Sequence, residues 1–283
     1  MMPVEFGPVP PTALITGGAG ALGFAIAERL TADGRRVAIV DKGPAVAERA
    51  RALDGAVGLS CDLSKRAQLR GAFQAASEEL GTIGIVVHCA GIAPLSPFLD
   101  TDCELFEHAL GVNLLAGFSF YKLAARQLVA AGCGGRMLAI TSISGARAGF
   151  GRTAYGTSKA ALGHLVAQMA LELGPYGITA NAIAPGPVDT PLSRGAHTAE
   201  ARADYLRTIP QGRYGTEAEI AAAAAFLTGE EAGYVNGQTL FVDGGYMASG
   251  MGVSMAQSVA AVRRRPRGEE VHAAPSKDPA REV

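Results

Sequence analysis

Short apolar segments alternate with longer amphipathic segments along most of the chain. Each apolar segment has the length of a strand and is hydrophobic on both faces, which is typical of parallel strands covered by helices. The predicted strands span 13–15, 37–40, 57–59, 83–88, 137–141, 178–183 and 239–242. The predicted helices span 21–33, 44–53, 64–80, 102–131, 152–174 and 216–228. This alternation predicts an α/β fold, a single doubly wound parallel sheet with helices on both faces.

Two segments depart from the alternation. Residues 186–213 carry three prolines and several polar side chains, and we interpret them as a substrate lid or a mobile loop. Residues 263–283 have few large apolar side chains, so we expect a solvated tail that is disordered beyond 262. The alternative is that the arginine run in this tail contacts an anionic partner. We therefore divide the chain into an N-terminal extension (1–10), one folded domain (11–250) and a C-terminal tail (251–283).

Composition and charge exclude several classes of protein. Of the 283 residues, 48% are hydrophobic and 18% charged, which is enough for a large core and rules out a wholly disordered chain. The formal charge of −1 argues against a general nucleic-acid binder. The start of the chain lacks the pattern of a signal peptide, and glycines and prolines interrupt the uncharged run 80–99, so we expect no membrane span. The four cysteines form no CxxC pair, which favours reduced thiols in the cytoplasm and no metal site.

A glycine-rich turn, TGGAGALG at 16–23, follows the first predicted strand and opens a helix. Gly18, Gly20 and Gly23 fit the pattern G-x-G-x-x-G, in which the backbone approaches a pyrophosphate at a helix N-terminus. Asp41 ends the second strand, where a carboxylate accepts hydrogen bonds from ribose hydroxyls and repels a 2′-phosphate, so it predicts NAD. A turn-forming role for this aspartate is the alternative. NADP stays open because three basic side chains lie nearby: Arg35, Arg36 and Lys42.

A second cluster of candidate chemistry lies near the middle of the chain. Tyr155 and Lys159 are four residues apart at the start of a predicted helix and so share one face. A tyrosine pKa of about 10 is too high for a base at neutral pH, and a nearby ammonium lowers it. Ser142 ends the fifth strand, at the edge of a parallel sheet where ligands bind. An ordinary surface pair is the alternative for Tyr155 and Lys159 alone.

With these motifs, the chain resembles the short-chain dehydrogenase/reductase family of the Tyr-x-x-x-Lys type over about residues 11–246. The resemblance implies a Rossmann fold and a triad of Ser142, Tyr155 and Lys159. It also implies a role for Asn113, holding a water that links Lys159 to solvent, and Lys159 on the nicotinamide ribose. The cofactor-binding positions that it implies are Gly17, Gly18, Gly20, Ala21, Leu22, Gly23, Asp41, Asp62, Leu63, Cys89, Ala90, Gly91, Tyr155, Lys159, Pro185, Gly186, Val188 and Thr190.

The chain departs from the family pattern at two places. Ala21 replaces the second glycine of TGxxxGxG, and we expect binding to survive because Gly20 is adjacent. His88 and Cys89 stand where the family has two asparagines, and a thiol cannot make the amide hydrogen bonds of asparagine. We interpret His88, a lone histidine on a buried strand, as structural.

Together these features predict an NAD(H)-dependent oxidoreductase that transfers a hydride between a nicotinamide and a secondary alcohol or ketone, with Tyr155 as general acid or base. An NADP-dependent carbonyl reductase and a non-catalytic dinucleotide sensor are the alternatives. By resemblance we expect a homotetramer. Candidate substrate contacts are Ala93, Ser144, Phe150, Pro187 and Leu192. Three arginines in the predicted lid could meet an acid or simply face solvent: Arg194, Arg202 and Arg207.

Overall fold

The computed structural model describes residues 6–263 and contains a seven-stranded parallel sheet. The strands are β1 Thr12–Thr16, β2 Arg36–Asp41, β3 Val57–Ser60, β4 Ile85–His88, β5 Gly135–Ile140, β6 Ile178–Pro185 and β7 Thr239–Val242. Their order in the sheet is β3-β2-β1-β4-β5-β6-β7. The order reverses between β1 and β4, which creates a crevice at the carboxyl ends of these strands. The prediction of a doubly wound parallel sheet is confirmed.

Helices cover both faces of this sheet, and alternate side chains of each strand point to opposite layers. The helices are α1 Ala21–Ala32, α2 Ala45–Arg51, α3 Arg66–Leu80, α4 Cys103–Leu110, α5 Ala116–Ala131, α6 Thr153–Leu173, α7 Pro191–Ala196, α8 Ala199–Thr208, α9 Glu217–Thr228 and α10 Val253–Arg263. Leu14 of β1 packs in the layer beneath the helices α3, α5 and α6, whereas Ile15 packs in the layer beneath α1, α2 and α9.

Two predicted segments differ from the structure. The long helix predicted over 102–131 is divided into α4 and α5 by a π-helical turn, Gly111–Leu115, which contains Asn113. The predicted lid is helical rather than irregular, because Thr190 and Thr198 cap α7 and α8 with their side-chain oxygens. Pairing of Val188 with Gly215 closes the base of this lid.

The C-terminal tail begins with an ordered helix. Within α10, the Gln257 amide donates to the carbonyls of Leu206, at 3.1 Å, and Ile209, at 2.9 Å, and so ties this helix to α8. The disorder expected beyond 262 and the arginine run at 263–265 fall almost wholly on residues outside the described range. In residues 6–263, no helix is long and apolar enough to cross a membrane.

Candidate active site

Two adjoining cavities lie at the carboxyl ends of the strands. The larger, of about 630 Å³, follows the glycine-rich turn and the ends of β2 and β3; we call it the glycine-turn cleft. The smaller, of about 220 Å³, lies at the ends of β5 and β6 beneath the lid; we call it the tyrosine cleft. Five residues line both, so the two clefts form one continuous groove: Leu22, Cys89, Gly91, Thr190 and Leu192.

Close backbone contacts shape the glycine-rich turn. Gly17 has φ +69°, and a Cβ there would lie 2.6 Å from the backbone of Ala90. A Cβ on Gly23 would lie 2.2 Å from the carbonyl oxygen of Gly17. Helix α1 starts at Ala21, inside this glycine-rich segment, and no side chain within residues 6–263 caps its first N–H groups. These free donors and the helix dipole fit a pyrophosphate, because an anion completes the hydrogen bonds that the helix end leaves open.

Asp41 is held at the tip of β2 beside this turn. Its carboxylate accepts hydrogen bonds from the Ala19 amide at 2.9 Å and from the Lys42 amide at 2.7 Å. Lys42 pairs with Asp62 at 3.6 Å, and hydrogen bonds from Ser64 hold the pKa of the Asp62 carboxyl below its usual value. The cleft thus presents a fixed carboxylate where the second strand ends.

The basic residues noted near Asp41 lie in different places. Arg35 and Arg36 stand at the opposite, amino end of β2, and the Arg36 guanidinium donates to the carbonyls of Glu79 and Leu80. Their suggested role beside a 2′-phosphate is therefore wrong on geometric grounds. Lys42 lines the glycine-turn cleft, and so does Arg49, which the sequence reading did not identify.

Ser142, Tyr155 and Lys159 line the tyrosine cleft together. Burial lowers the pKa of Lys159 to about 8, and its ammonium donates to the Ile140 carbonyl at 2.8 Å. Burial raises the pKa of Tyr155, while the Ser142 hydroxyl and the Arg152 charge oppose that rise. The Lys159 ammonium lies 6.0 Å from the centroid of the Tyr155 ring and donates to the Ile140 carbonyl, and the lowering of the tyrosine pKa by Lys159 stays a prediction. In this state Tyr155 is a protonated phenol.

Asn113 lies behind this cleft rather than in its wall. Its amide oxygen accepts from the Ile92 amide at 2.8 Å, and its amide nitrogen donates to the Ile92 carbonyl at 2.9 Å and to Ser158 Oγ at 2.8 Å. Ser158 Oγ in turn donates to the Tyr155 carbonyl at 2.7 Å. The side chain therefore joins the π-helical turn to α6.

His88 extends this network to the glycine-rich turn. Burial lowers its pKa to about 3, so the ring is neutral. Nε2 lies 3.1 Å from the Asn113 carbonyl, which can only accept, so Nε2 carries the proton. Nδ1 then accepts from the Thr16 hydroxyl at 2.7 Å. The chain of hydrogen bonds from Thr16 through His88 and Asn113 connects β1 with the helix that carries Tyr155.

Cys89 lies where the two clefts meet. Burial raises the pKa of its thiol to about 12, so it is a neutral thiol and not a nucleophilic thiolate. Among residues 6–263, no three His, Cys, Asp or Glu side chains cluster as ligands for a metal ion.

The remaining predicted site residues divide into three groups. The structure brings most cofactor positions to the glycine-turn cleft: Gly17, Gly20, Ala21, Leu22, Gly23, Asp41, Asp62, Leu63, Cys89, Ala90, Gly91 and Thr190. The tyrosine cleft is lined by Ala93, Ser144, Pro185, Gly186, Pro187, Val188 and Leu192. Neither cleft is lined by Gly18, which packs against Ile39, or by Phe150, whose side chain is 85% exposed.

The sequence reading missed side chains that reach the tyrosine cleft from elsewhere. Arg152 lines it from the residue before α6, and His197 and Tyr205 line it from the lid. The sequence does carry a signal for Arg152. It lies three residues before Tyr155 in the helix predicted over 152–174, and residues three apart share a helix face. The lid arginines turn to partners instead: Arg194 and Arg202 pair with Asp189, and Arg207 pairs with Asp204.

Comparisons with known proteins agree with this geometry. A family model described as enoyl-(acyl carrier protein) reductase matches residues 17–247. The short-chain dehydrogenase/reductase eriH of Hericium erinaceus is 37% identical, over 82% of this chain and 96% of that protein. The 3-oxoacyl-[acyl-carrier-protein] reductase MabA of Mycobacterium tuberculosis is 35% identical, over 82% of this chain and 91% of its own length. The crystal structure of the TT0495 protein from Thermus thermophilus superposes with a TM-score of 0.79 at 38% identity, over 83% of this chain and 98% of that one. The chain belongs to the short-chain dehydrogenase/reductase family of oxidoreductases, which use a nicotinamide cofactor.

Proposed function

We propose that the protein is an NAD(H)-dependent oxidoreductase that transfers a hydride between the nicotinamide and a secondary alcohol or ketone. The observation that carries the proposal is the convergence of Ser142, Tyr155 and Lys159 on one cleft that continues into the glycine-turn cleft. When bound, the cofactor supplies or accepts the hydride, and the protein supplies placement and proton transfer.

Each member of the triad has a distinct task. Tyr155 exchanges a proton with the substrate oxygen, and the raised pKa of its buried phenol suits donation to a ketone in the reduction direction. Ser142 donates a hydrogen bond to the same oxygen and stabilises the charge that develops there. Lys159 binds the nicotinamide ribose and, once turned towards it, brings its positive charge closer to the phenol.

Asn113 acts as a positioning residue in this proposal. The water expected between Asn113 and Lys159 stays a prediction. Both hydrogens of the Asn113 amide nitrogen are donated, to Ile92 and Ser158, while its amide oxygen accepts one hydrogen bond from Ile92 and can accept a second. Through Ser158, Asn113 holds the first turn of α6, and therefore the phenol of Tyr155, at a fixed distance from β4.

NAD is favoured by the fixed carboxylate of Asp41, because a 2′-phosphate there would face an anion held by two backbone amides. NADP is the second candidate, since Arg49 lines the same cleft with its guanidinium over the Phe24 ring and Nε on the Ala19 carbonyl. Initial rates with each coenzyme at equal concentration decide between them, and a preference for NADP would contradict the primary proposal.

Assembly as a homotetramer is supported by exposed apolar surface. An apolar groove of about 630 Å³ lies between α5 and α6, lined in part by Phe118, Val129 and Tyr176. Edge strand β7 also exposes Leu240 and Phe241. Monomers rarely leave such surfaces bare, and closed symmetry covers them with other copies of the same chain. Light scattering on the full chain measures the subunit number, and a monomer would contradict this part of the proposal.

Replacing the phenol tests the proposed chemistry. We expect Tyr155→Phe to lower kcat by at least about 100-fold, because it removes the proton donor and keeps the ring. Cofactor affinity, measured by fluorescence quenching, should stay within about twofold because the glycine turn is untouched. Near wild-type turnover in the variant would show that the assignment of Tyr155 is wrong. Absence of turnover with every secondary alcohol or ketone would favour the non-catalytic dinucleotide sensor.

A further inference from the structure

The tyrosine cleft carries an uncompensated positive charge. Of the side chains that line it in the described part of the chain, Arg152 and Lys159 are cationic, and none is an aspartate or glutamate. Burial lowers the pKa of His197 below its ordinary value, and the charges of Arg152 and Arg202 lower it in addition. This histidine therefore adds no positive charge at neutral pH. The glycine-turn cleft, in contrast, is lined by Asp41 and Asp62.

Arg152 has few partners for a guanidinium that is half-buried. Its Cζ lies 5.7 Å from the ring centroid of Tyr155, and its Nη1 reaches the Ala93 carbonyl at 3.5 Å, at the limit of a hydrogen bond. No carboxylate within residues 6–263 pairs with it. A guanidinium offers five N–H donors in a planar fork that matches a carboxylate, so most of its capacity is open towards the cleft.

Other arginines near the lid are already satisfied. Arg194 and Arg202 both bind the Asp189 carboxylate, and Arg202 also lies over the Tyr214 ring at 4.1 Å. Arg207 pairs with Asp204 on the outer face of α8. A ligand anion would have to compete with these carboxylates, whereas at Arg152 it would meet a free fork beside the catalytic phenol.

The position of Arg152 fixes where an anionic group would lie. The Arg152 Cζ is 5.7 Å from the ring centroid of Tyr155, so an anion bound there lies within a few bonds of a carbon that reacts beside the phenol. Leu192, Pro187 and Val188 form an apolar side of the cleft, which suits a short carbon chain.

We propose that the substrate is a short hydroxy acid, or the corresponding oxo acid, whose carboxylate binds the Arg152 guanidinium while its oxygen lies between Ser142 and Tyr155. The proposal deepens the function proposed above and rests on it. In oxidation the carbinol C–H bond breaks and its hydride leaves for the nicotinamide. The O–H proton passes to the Tyr155 phenolate, which forms when the phenol first releases its own proton to solvent. The C=O bond forms, and the carboxylate is unchanged.

Matched pairs of acid and ester test this specificity. Lactate and 3-hydroxybutyrate are compared with their methyl esters at a fixed concentration of the better coenzyme, using the absorbance of the reduced nicotinamide. We expect the acid to exceed its ester in kcat/KM by about 30-fold or more, because the ester leaves the half-buried charge of Arg152 without a counterion. We expect Arg152→Gln to reduce that preference by a similar factor, mainly through KM. Arg207→Gln is the matched control and should keep the wild-type preference.

Equal use of acid and ester by the wild-type protein, or an unchanged preference in Arg152→Gln, would overturn the proposal. Binding gives a readout that does not depend on turnover. In the presence of NAD, 3-hydroxybutyrate should raise the melting temperature of the wild-type protein and of Arg207→Gln, but not that of Arg152→Gln. Absence of that shift in the wild-type protein would overturn the proposed acid site. A shift without turnover of any secondary alcohol would uphold the site and contradict the proposed redox function.

Discussion

The two clefts of the groove are built in different ways. The glycine-turn cleft is shaped largely by the glycine-rich turn and by the short stretches that follow β2, β3 and β4, with Asp41 held by two amides. The tyrosine cleft is made mostly of side chains that come from β5, from the start of α6 and from the lid. The first therefore depends on where glycines stand in the sequence, and the second depends on how distant segments pack.

This difference separates binding from specificity. A backbone site tolerates few substitutions, because an added Cβ has no side-chain rotamer by which to avoid the clash. A side-chain site changes its ligand with a single substitution, and the role that we propose for Arg152 is of this kind. We expect mutations in the glycine turn to act on the cofactor with every substrate. Mutations at His197 and Tyr205, the lid residues that line only the tyrosine cleft, should act on the substrate alone.

The largest effect on cofactor affinity is expected at the closest backbone approach within the glycine-rich turn. In Gly23→Ala the new Cβ would lie 2.2 Å from the Gly17 carbonyl oxygen, so the turn must shift and its amides leave the pyrophosphate. We expect cofactor affinity to fall by about 30-fold or more, as when one partner of a charged contact is lost. Isothermal titration with NAD measures this loss.

Gly71→Ala is the matched control for that experiment. Gly71 lies inside α3, and a Cβ there would meet nothing within 4 Å. This variant should keep wild-type affinity and gain about 0.5 to 1 kcal/mol of stability from helix propensity. Equal cofactor affinity in both variants would show that the approach of Gly23 to Gly17 does not shape the binding site.

The sequence predicted the frame and the backbone cleft well because both rest on local patterns. Apolar runs bounded by turns specify buried parallel strands, and a glycine-rich turn between a strand and a helix is visible in eight consecutive residues. The interpretation of His88 as structural also agrees with its full burial. Its hydrogen bonds to Thr16 and Asn113 were not predictable, because they join three elements that are remote in sequence.

The partners of the side chains in the lid could not be predicted from the sequence either, because they too depend on how separate segments pack. Whether Arg194 faces a substrate or Asp189 depends on how two short helices turn over the cleft. The two lid helices themselves are predictable. Thr190 followed by Pro191 is typical of a helix N-terminus, and Thr198 is the N-cap residue of the second helix. The prolines favoured a loop assignment, but one of them occupies the first turn of α7, where its missing N–H costs nothing.

A smaller effect is expected on the choice of coenzyme. Asp41→Ala removes both the ribose acceptor and the charge that repels a 2′-phosphate. We expect the ratio of kcat/KM for NAD over NADP to fall by about tenfold, which corresponds to about 1.4 kcal/mol. The preference between acid and ester should be unchanged, because Asp41 lies outside the tyrosine cleft. An unchanged coenzyme ratio would contradict the role of Asp41.

The hydrogen bonds of His88 join the walls of the two clefts, and this residue should make the free energy of unfolding depend on pH in the acid range. Its pKa is about 3 in the folded protein against an ordinary value of 6.5, so below pH 6.5 the unfolded chain binds the extra proton. The free energy of unfolding should fall from pH 6.5 towards pH 3, by up to about 1.4 kcal/mol per pH unit from this group. His88→Asn should lose less stability than the wild-type protein between pH 7 and pH 5 in urea unfolding. Equal losses would contradict the prediction.

The smallest effect is expected at the attachment of the lid to α10. Gln257→Ala removes the two hydrogen bonds to the carbonyls of Leu206 and Ile209, which end α8. These bonds are partly buried and neutral, so each contributes only about 0.5 to 1.5 kcal/mol, and α8 keeps its cap at Thr198. We expect KM for the alcohol to rise by about twofold to fivefold through a looser lid, with NAD affinity unchanged because α8 does not line the glycine-turn cleft. Steady-state kinetics with isothermal titration separates the two quantities. A parallel loss of NAD affinity would mean that the clefts are coupled through the lid and that their separate construction does not give them separate functions.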